Sequence, residues 1–168
     1  MTADDSDGEP RPPSGAARKR RRTPFLITHL ASRLLKPMSR ANAWLYRRSG
    51  GRVLGSLGSR PLCLLTTTGR RSGLPRTQTL LYVPDGDAVL LVAAQGGLPN
   101  NPLWLLNLRA DPSVTVQTGN RVRRLRAREA TPEERARLWP RLIAHYHGWE
   151  QYQSWTDRTI PVVICTPE

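Results

Sequence analysis

Three arginines, two hydroxyl side chains and two glycines fall between apolar runs in residues 62–82, which read LCLLTTTGRRSGLPRTQTLLY. The pattern predicts a strand, a basic turn and a second strand. Arg70, Arg71 and Arg76 would bring planar forks of donors to the turn, and glycine lets the backbone approach an anion closely. The turn therefore suits a phosphate or a carboxylate. The alternative is a hairpin whose arginines are simply solvated.

The histidines and cysteines form no pattern typical of a metal site or a nucleophile. His145 and His147 are two residues apart and so do not share a helical face, and no metal is expected. Cys63 and Cys165 each lie in an apolar run, which favours buried free thiols in a reducing cytosol. Neither GxGxxG after a strand nor GxxxxGK[ST] is present. A cofactor that brings its own chemistry fits this inventory best.

The net charge of +13 is concentrated near the N-terminus. Residues 1–22 carry four acids, then prolines, then an unbroken basic run from Arg18 to Arg22, with almost nothing apolar. Such a segment cannot bury enough apolar surface to offset its ordering entropy, so we predict a disordered basic tail. A basic tail binds nucleic acid, binds an anionic membrane or aids solubility, and the sequence leaves all three open.

Residues 23–60 are predicted to form an amphipathic helical region and a linker. Thr23 suits an N-cap with Pro24 after it, and apolar and aromatic residues then alternate with arginines up to Arg48. This composition favours either an interfacial helix on an anionic membrane or a helix packed on the domain. No run is apolar enough to span a bilayer, and no secretory signal is recognised. We expect a cytoplasmic protein with peripheral contact to the inner membrane face through residues 23–48.

Residues 61–168 are predicted to form a mainly β domain of the α+β class. Strands are expected at 61–68, 77–83, 88–94 and 160–166, with a hairpin turned by Gly119 and Asn120. Asn101 is expected to cap a short helix, and Thr131 a longer helix that runs to about Tyr146 and is closed by Gly148.

Two further patterns each have a structural and a functional interpretation. Trp149, Tyr152 and Trp155 recur every three residues, which fits either core filling or a wall over a flat conjugated ligand. The arginines within residues 121–128 suit either protection of an edge strand or a nucleic-acid surface.

Five ordered blocks of the sequence resemble the deazaflavin-dependent nitroreductase family of F420-dependent reductases. They are TTTGRRSGLPR (66–76), VAAQGG (92–97), NPLWLLNLRADP (101–112), TPEERARLWP (131–140) and YQSWTDRTIPVV (152–163). The resemblance covers about residues 60–168. It implies a split β-barrel of about six antiparallel strands with flanking helices and an N-terminal helical extension.

The resemblance also implies that reduced coenzyme F420 passes a hydride to a quinone such as menaquinone and, adventitiously, to nitroaromatic compounds. By position, the cofactor's phosphate and polyglutamate tail would meet Arg70, Arg71, Ser72 and Arg76. Further cofactor contacts would come from three runs and one aromatic residue: Thr77, Gln78, Thr79, Leu80 and Leu81; Val92, Ala93, Ala94 and Gln95; Leu103, Trp104, Leu105, Leu106 and Asn107; and Trp149. Tyr146, Trp149 and Tyr152 match the family's aromatic positions on the acceptor side and are the expected catalytic set.

Two positions depart from the family pattern. Members often carry Ser where this chain has Ala94, and the nitroreductase has Tyr where this chain has Trp149. Both changes remove a hydroxyl group from the acceptor side, which puts nitro reduction in doubt. The alternatives are a carrier or cofactor-sequestering barrel without turnover, and a nucleic-acid-binding protein. We expect neither a specific nucleic acid nor an obligate protein partner.

Overall fold

The computed structural model describes residues 43–53 and 55–168, so the predicted tail (1–22) and most of the predicted helical region (23–48) lie outside it. In chain order the elements are α1 (described over 43–49), β1 (Ser56–Leu57), β2 (Arg60–Thr68), β3 (Pro75–Asp85), β4 (Ala88–Val92), a 3-10 turn (Gln95–Gly97), α2 (Leu103–Ala110), β5 (Ser113–Thr118), β6 (Arg121–Glu129), α3 (Pro132–His145), α4 (Gly148–Ser154) and β7 (Val162–Pro167).

Six antiparallel strands close into a barrel, as predicted. The order is β2-β3-β4-β7-β6-β5, and β5 returns to pair with β2, while the short β1 extends the sheet beside β2. Closure leaves none of these six strands as a free edge. Because side chains alternate across a strand, each strand presents one face to the barrel interior and the other to the outside.

The barrel interior is one continuous apolar core. Cys63 and Leu65 on β2 face it together with their cross-strand neighbours Leu80 and Gln78 on β3. The helix α2 fills one end of the barrel with buried Trp104, Leu105 and Leu108. The interior therefore leaves little room for a ligand within this cluster.

A second apolar core lies outside the barrel, where α3 and α4 cover β3, β4 and β7. Leu142 of α3 and Trp149 of α4 are buried against Leu90, Val92 and Val162. The helix α3 begins at the predicted cap residue Thr131 with a capping box, in which Thr131 and Glu134 each bond the other's backbone N–H. These two helices fix the aromatic residues of 146–155 on the outer wall.

The helix α1 packs on the outer face of β2. Ala43 and Tyr46 bury Leu64, and the Tyr46 hydroxyl donates to the Leu62 carbonyl at 2.8 Å. The same hydroxyl accepts from the Gly119 N–H at 3.0 Å, so one side chain joins α1, β2 and the β5–β6 turn. The separation of residues 23–60 from the barrel as a domain stays a prediction.

Four local expectations were wrong. The arginines of residues 121–128 do not protect an edge strand, because β6 pairs with both β5 and β7. The strand expected at 88–94 ends at Val92, because the chain enters the 3-10 turn. Asn101 does not cap α2; Pro102 is its N-cap, and the Asn101 side chain accepts a hydrogen bond from Arg158 instead. Gly148 does not close α3, which ends at His145; Gly148 begins α4.

Candidate active site

The turn between β2 and β3 is a compact loop with its arginines outside. Inside the loop, the Gly69 N–H donates to the Leu74 carbonyl at 2.9 Å, and the Gly69 carbonyl accepts from the N–H groups of Ser72 and Gly73. Gly73 has φ of +65°, a conformation that favours glycine. Arg70 and Arg71 are exposed, as is Ser72. This geometry fits the predicted anion site, since two guanidinium groups stand in solvent at a fixed turn.

Asn107 supports the turn from within the protein. Its side-chain Oδ1 accepts from the Arg70 N–H at 3.2 Å, and its Nδ2 donates to the Thr67 hydroxyl at 3.1 Å. Asn107 and Thr67 are the buried polar residues of the described part of the chain. Asn107 therefore holds the turn rather than facing solvent, a role that the sequence did not reveal.

Two more guanidinium groups border the turn. Arg76 donates to the Ser72 hydroxyl at 3.2 Å. Arg47 of α1, which was not among the predicted site residues, donates to the Thr77 hydroxyl at 3.0 Å, and Thr77 lies 2.9 Å from the Thr66 hydroxyl. With Arg70 and Arg71, four arginines therefore lie at or beside the β2–β3 turn. The arrangement suits an anion with several oxygen atoms.

The strand β3 divides the predicted cofactor residues between the two sides of the barrel wall. Thr77, Thr79 and Leu81 pair with the outward-facing residues of β2, whereas Gln78 and Leu80 pair with the inward-facing ones. Ala93 likewise belongs to the interior core, while Val92 and Ala94 belong to the outer core with Leu81. The outer set forms one continuous face with the basic turn.

The predicted residues of α2 are not together on that face. Leu103 is exposed, Leu106 is half-buried, and Trp104 and Leu105 fill the barrel interior. Gln95 is exposed in the 3-10 turn and adopts φ of +48°, which is uncommon for a residue other than glycine.

The three expected catalytic aromatics lie together at the far end of the outer face. The ring of Tyr146 meets the edge of Trp149 at a centroid distance of 5.5 Å, and the Tyr146 and Tyr152 hydroxyl oxygens are 3.3 Å apart. The hydrogen bond between the Tyr146 and Tyr152 hydroxyls, together with burial, raises the pKa of Tyr152, which keeps this phenol protonated at neutral pH. A protonated phenol can donate a hydrogen bond to a carbonyl oxygen.

The aromatic stripe is partly core and partly surface. Trp149 is only 4% exposed and fills the outer core, whereas Trp155 is 65% exposed and contacts Tyr152 at a centroid distance of 5.5 Å. Trp149 thus fills the core, as one interpretation of the stripe predicted, whereas the indole of Trp155 is exposed and available to contact a ligand. Arg60 stacks on Tyr146 at 5.1 Å and donates to the His145 carbonyl, which fixes the ring from the other side.

A cleft of about 420 Å³ lies elsewhere, between α2, β6 and the start of α3. Its arginines are already bonded within the protein. Arg109 holds both carboxylate oxygens of Glu129, and Arg135 donates to Ile160 and Gln153. None of the predicted cofactor residues lines it.

The remaining chemical groups do not suggest another mechanism. Burial raises the pKa of both thiols, that of Cys165 to about 12, so neither is a thiolate at neutral pH. Within residues 43–53 and 55–168, no group of three or more histidines, cysteines and acids could hold a metal ion. The same part of the chain contains no helix long and apolar enough to cross a membrane.

Comparison with known proteins gives a consistent result. The sequence model of the family described as F420H(2)-dependent quinone reductase matches residues 38–167. An F420H(2)-dependent quinone reductase of Mycobacterium tuberculosis is 38% identical over 146 residues, covering 84% of this chain and 95% of the relative.

Solved structures agree in sequence and in fold. One described as an F420-H2 dependent reductase (FDR-A) is 41% identical with a TM-score of 0.59, covering 63% of this chain and 94% of that one. Another, described as a domain-swapped dimer, is 33% identical with a TM-score of 0.62, covering 83% and 96%.

Proposed function

The chain belongs to the F420H(2)-dependent quinone reductase family, and we propose that it is an oxidoreductase that transfers a hydride from reduced F420 to a quinone. One structural observation supports this function above the others. The outer face of β3 runs from the turn, beside which Arg47, Arg70, Arg71 and Arg76 lie, to a cluster of tyrosines and tryptophans. An extended cofactor with an anionic tail and a flat ring suits such a face.

The anionic tail of the cofactor is assigned to the basic turn. Arg70 and Arg71 carry exposed guanidinium groups, and Arg76 and Arg47 lie on either side of the turn near Ser72 and Thr77. Charge-assisted bonds from arginine to phosphate or carboxylate are about twice as strong as neutral hydrogen bonds. The fit is good because the turn is held by Asn107 before any ligand arrives, so little ordering cost falls on binding.

The flat ring is assigned to the half-buried outward residues of β3, namely Thr77, Thr79 and Leu81, which adjoin the buried Val92 and Ala94 of the outer core. From Thr77 to Leu81 an extended strand spans about 13 Å, given roughly 3.3 Å per residue. The inward-facing residues Gln78, Leu80 and Ala93 support this wall from behind.

F420 supplies the hydride when bound, and the residues of this chain bind, orient and shield the reactants. Tyr152, held protonated beside Tyr146, is placed to donate a hydrogen bond to a quinone carbonyl oxygen. Trp149 acts behind these phenols by packing against Tyr146 and excluding water from the outer core.

The acceptor is proposed to be a lipid-soluble quinone such as menaquinone. Ala94 and Trp149 offer no hydroxyl group, and Trp149 is buried, so the site has little to bind a nitro group. Exposed Trp155 and the partly exposed Leu98 provide apolar surface beside the tyrosines for a hydrophobic acceptor.

Peripheral membrane contact is proposed through the outward face of α1. Trp44 is 63% exposed and Leu45 is also exposed, on the same helix as the exposed cation Arg48. Aromatic and basic side chains on one helix face favour an anionic membrane surface. The substitution Trp44→Ala should weaken flotation with vesicles that contain phosphatidylglycerol, whereas Trp155→Ala, directly after α4, serves as the control for a lost exposed indole.

The test of function is a titration of the purified protein with F420 and with FMN, followed by turnover with F420H2 and with NADPH against menadione. We expect tighter binding of F420 and turnover that depends on F420H2. Binding of F420 without turnover would favour the carrier alternative, and tighter binding of FMN would overturn the cofactor assignment.

A further inference from the structure

We propose that Arg158 is a positioning residue that holds the loop of residues 93–101 against α4 and thereby sets the shape of the acceptor pocket. The inference deepens the proposed function, because this loop carries Ala94 at the end of the outer face. Arg158 was not predicted as a site residue, and it lies far from the loop in sequence.

The Arg158 guanidinium is bonded to both ends of the loop. At the start, its Nη2 donates to the carbonyls of Ala93 and Ala94 at 3.0 and 2.9 Å. At the end, its Nε donates to the Leu98 carbonyl and its Nη1 to the Asn101 Oδ1, both at 3.0 Å. A single side chain therefore fixes the separation of the two ends.

The loop has a conformation that needs such support. Gln95, Gly96 and Gly97 follow one another with φ of +48°, +63° and +74°. The internal hydrogen bonds are few: the Gly97 N–H donates to Ala94 and the Leu98 N–H to Gln95, at 3.0 and 3.3 Å. Left-handed residues other than glycine persist where their surroundings hold them in place.

The other side of the loop is packed directly on the aromatic helix. A Cβ added at Gly97 would lie 2.9 Å from the Tyr152 carbonyl oxygen and 3.1 Å from the Trp155 Cβ. The loop and α4 are therefore in close contact at Gly97, and movement of the loop toward α4 must displace Tyr152 or Trp155. The position of the loop sets the distance between Ala94 and the tyrosine hydroxyls.

Arg158 is itself tied to α4. The Gln153 side chain donates to the Arg158 carbonyl at 2.8 Å and accepts from the Ile160 N–H at 2.9 Å. The connection runs from α4 through Gln153 and Arg158 to the loop. Arginine suits this task because its planar fork reaches several oxygens at once, whereas a lysine ammonium is a single point of contact.

The experiment compares Arg158→Gln, Arg158→Lys and Arg123→Gln in the full chain. Arg123 is the matched control, because it is also partly buried and donates to a carbonyl, that of Asp87, at the opposite end of β4. Amide hydrogen exchange is measured at Gly97 and Leu98, and KM and kcat are measured with menadione and F420H2.

Arg158→Gln should speed amide exchange at Gly97 and Leu98. It should also raise KM for the quinone about tenfold and lower kcat by a smaller factor, because the shape of the pocket changes while the reacting groups remain. Arg158→Lys should give intermediate values, and Arg123→Gln should change neither readout. Equal exchange at these two amides in Arg158→Gln and Arg123→Gln would overturn the proposal. So would an unchanged KM in Arg158→Gln. Absence of quinone turnover in the wild-type protein would instead count against the proposed function, since the exchange readout needs no cofactor.

Discussion

The side-chain Oδ1 of Asn107 accepts a hydrogen bond from the backbone N–H of Arg70, 37 positions earlier, at 3.2 Å. The helix that fills the barrel end thus also fixes the turn that carries the arginines. The core of the fold and the proposed anion site are therefore coupled through one buried amide. Substitutions at Asn107 and Thr67 can separate the contribution of α2 to the core from its contribution to the shape of the turn.

Asn107→Ala should both destabilise the protein and weaken F420 binding. The change leaves the Thr67 hydroxyl and the Arg70 N–H without their partner, which costs about 1–3 kcal/mol of unfolding free energy. Chemical unfolding and F420 titration measure the two effects. Thr67→Val is the control. It removes the hydrogen bond between the Asn107 Nδ2 and the Thr67 hydroxyl but leaves the bond from the Arg70 N–H, so F420 affinity should be retained. Equal affinity in wild type and Asn107→Ala would contradict the coupling.

Arg71→Ala should weaken F420 binding about tenfold, the equivalent of roughly 1.4 kcal/mol, because a charge-assisted contact to the tail is lost. Binding is measured by fluorescence titration at two salt concentrations, since exposed charges are screened. Arg121→Ala removes an exposed cation at the start of β6, beside the β5–β6 turn and at the other end of that strand pair from the rungs that adjoin the basic turn, and should leave affinity unchanged. A similar loss in both variants would show a general charge effect and not a site.

Tyr152→Phe should lower kcat/KM for the quinone while F420 affinity is kept. The variant keeps the ring and its packing but loses the hydroxyl that faces Tyr146. Steady-state kinetics with menadione measures the effect. Loss of one preorganised hydrogen-bond donor lowers kcat by about 100-fold or more where the donor stabilises a developing negative charge. Trp155→Phe controls for changes in aromatic surface. Wild-type kinetics in Tyr152→Phe would exclude the phenol as the donor.

The N-terminal cap of α3 should give the protein a stability component that depends on pH. The bidentate contact from Arg128 and the bond from the Thr131 N–H lower the pKa of Glu134 to about 2, from the ordinary glutamate value of 4.5. A depressed pKa contributes stability above pH 4.5 and loses it as pH falls toward 2. The melting temperature of Glu134→Gln should therefore lie below that of wild type at pH 7, and the two should converge near pH 2.

A double-mutant cycle with Arg128→Met identifies the partner in that effect. Adding Arg128→Met to Glu134→Gln should cost less than Arg128→Met alone, since the ion pair is already gone. Strictly additive losses would mean that the cap depends on Thr131 and not on the ion pair.

Much of the fold followed from local patterns. Apolar runs, glycine turns and the Thr131 cap are encoded within a few neighbouring residues, and the strands, the hairpin at Gly119 and α3 match them. The strand period of two also explains why the run Thr77–Leu81 cannot face one ligand as a whole, because alternate residues point into the barrel.

The rest depended on contacts between distant segments. Nothing in the local sequence links Arg158 with Ala93, or Asn107 with Arg70, since these pairs meet only after the barrel closes. Regular spacing placed Trp149 and Trp155 on one stripe, but spacing carries no information on depth, and the structure buries the first and exposes the second.

The two hydrogen bonds of Tyr46 set a lower limit on how far the chain can be shortened. A protein that starts at β2 would bare Leu64, which is 1% exposed under α1, and would leave the Leu62 carbonyl and the Gly119 N–H without their shared phenol. Such a fragment would present fresh apolar surface and is expected to aggregate. A protein shortened to begin at Ala43 keeps the contacts of Ala43 and Tyr46 with β2 and with Gly119. The influence of the preceding residues on vesicle binding can therefore be measured with these contacts intact.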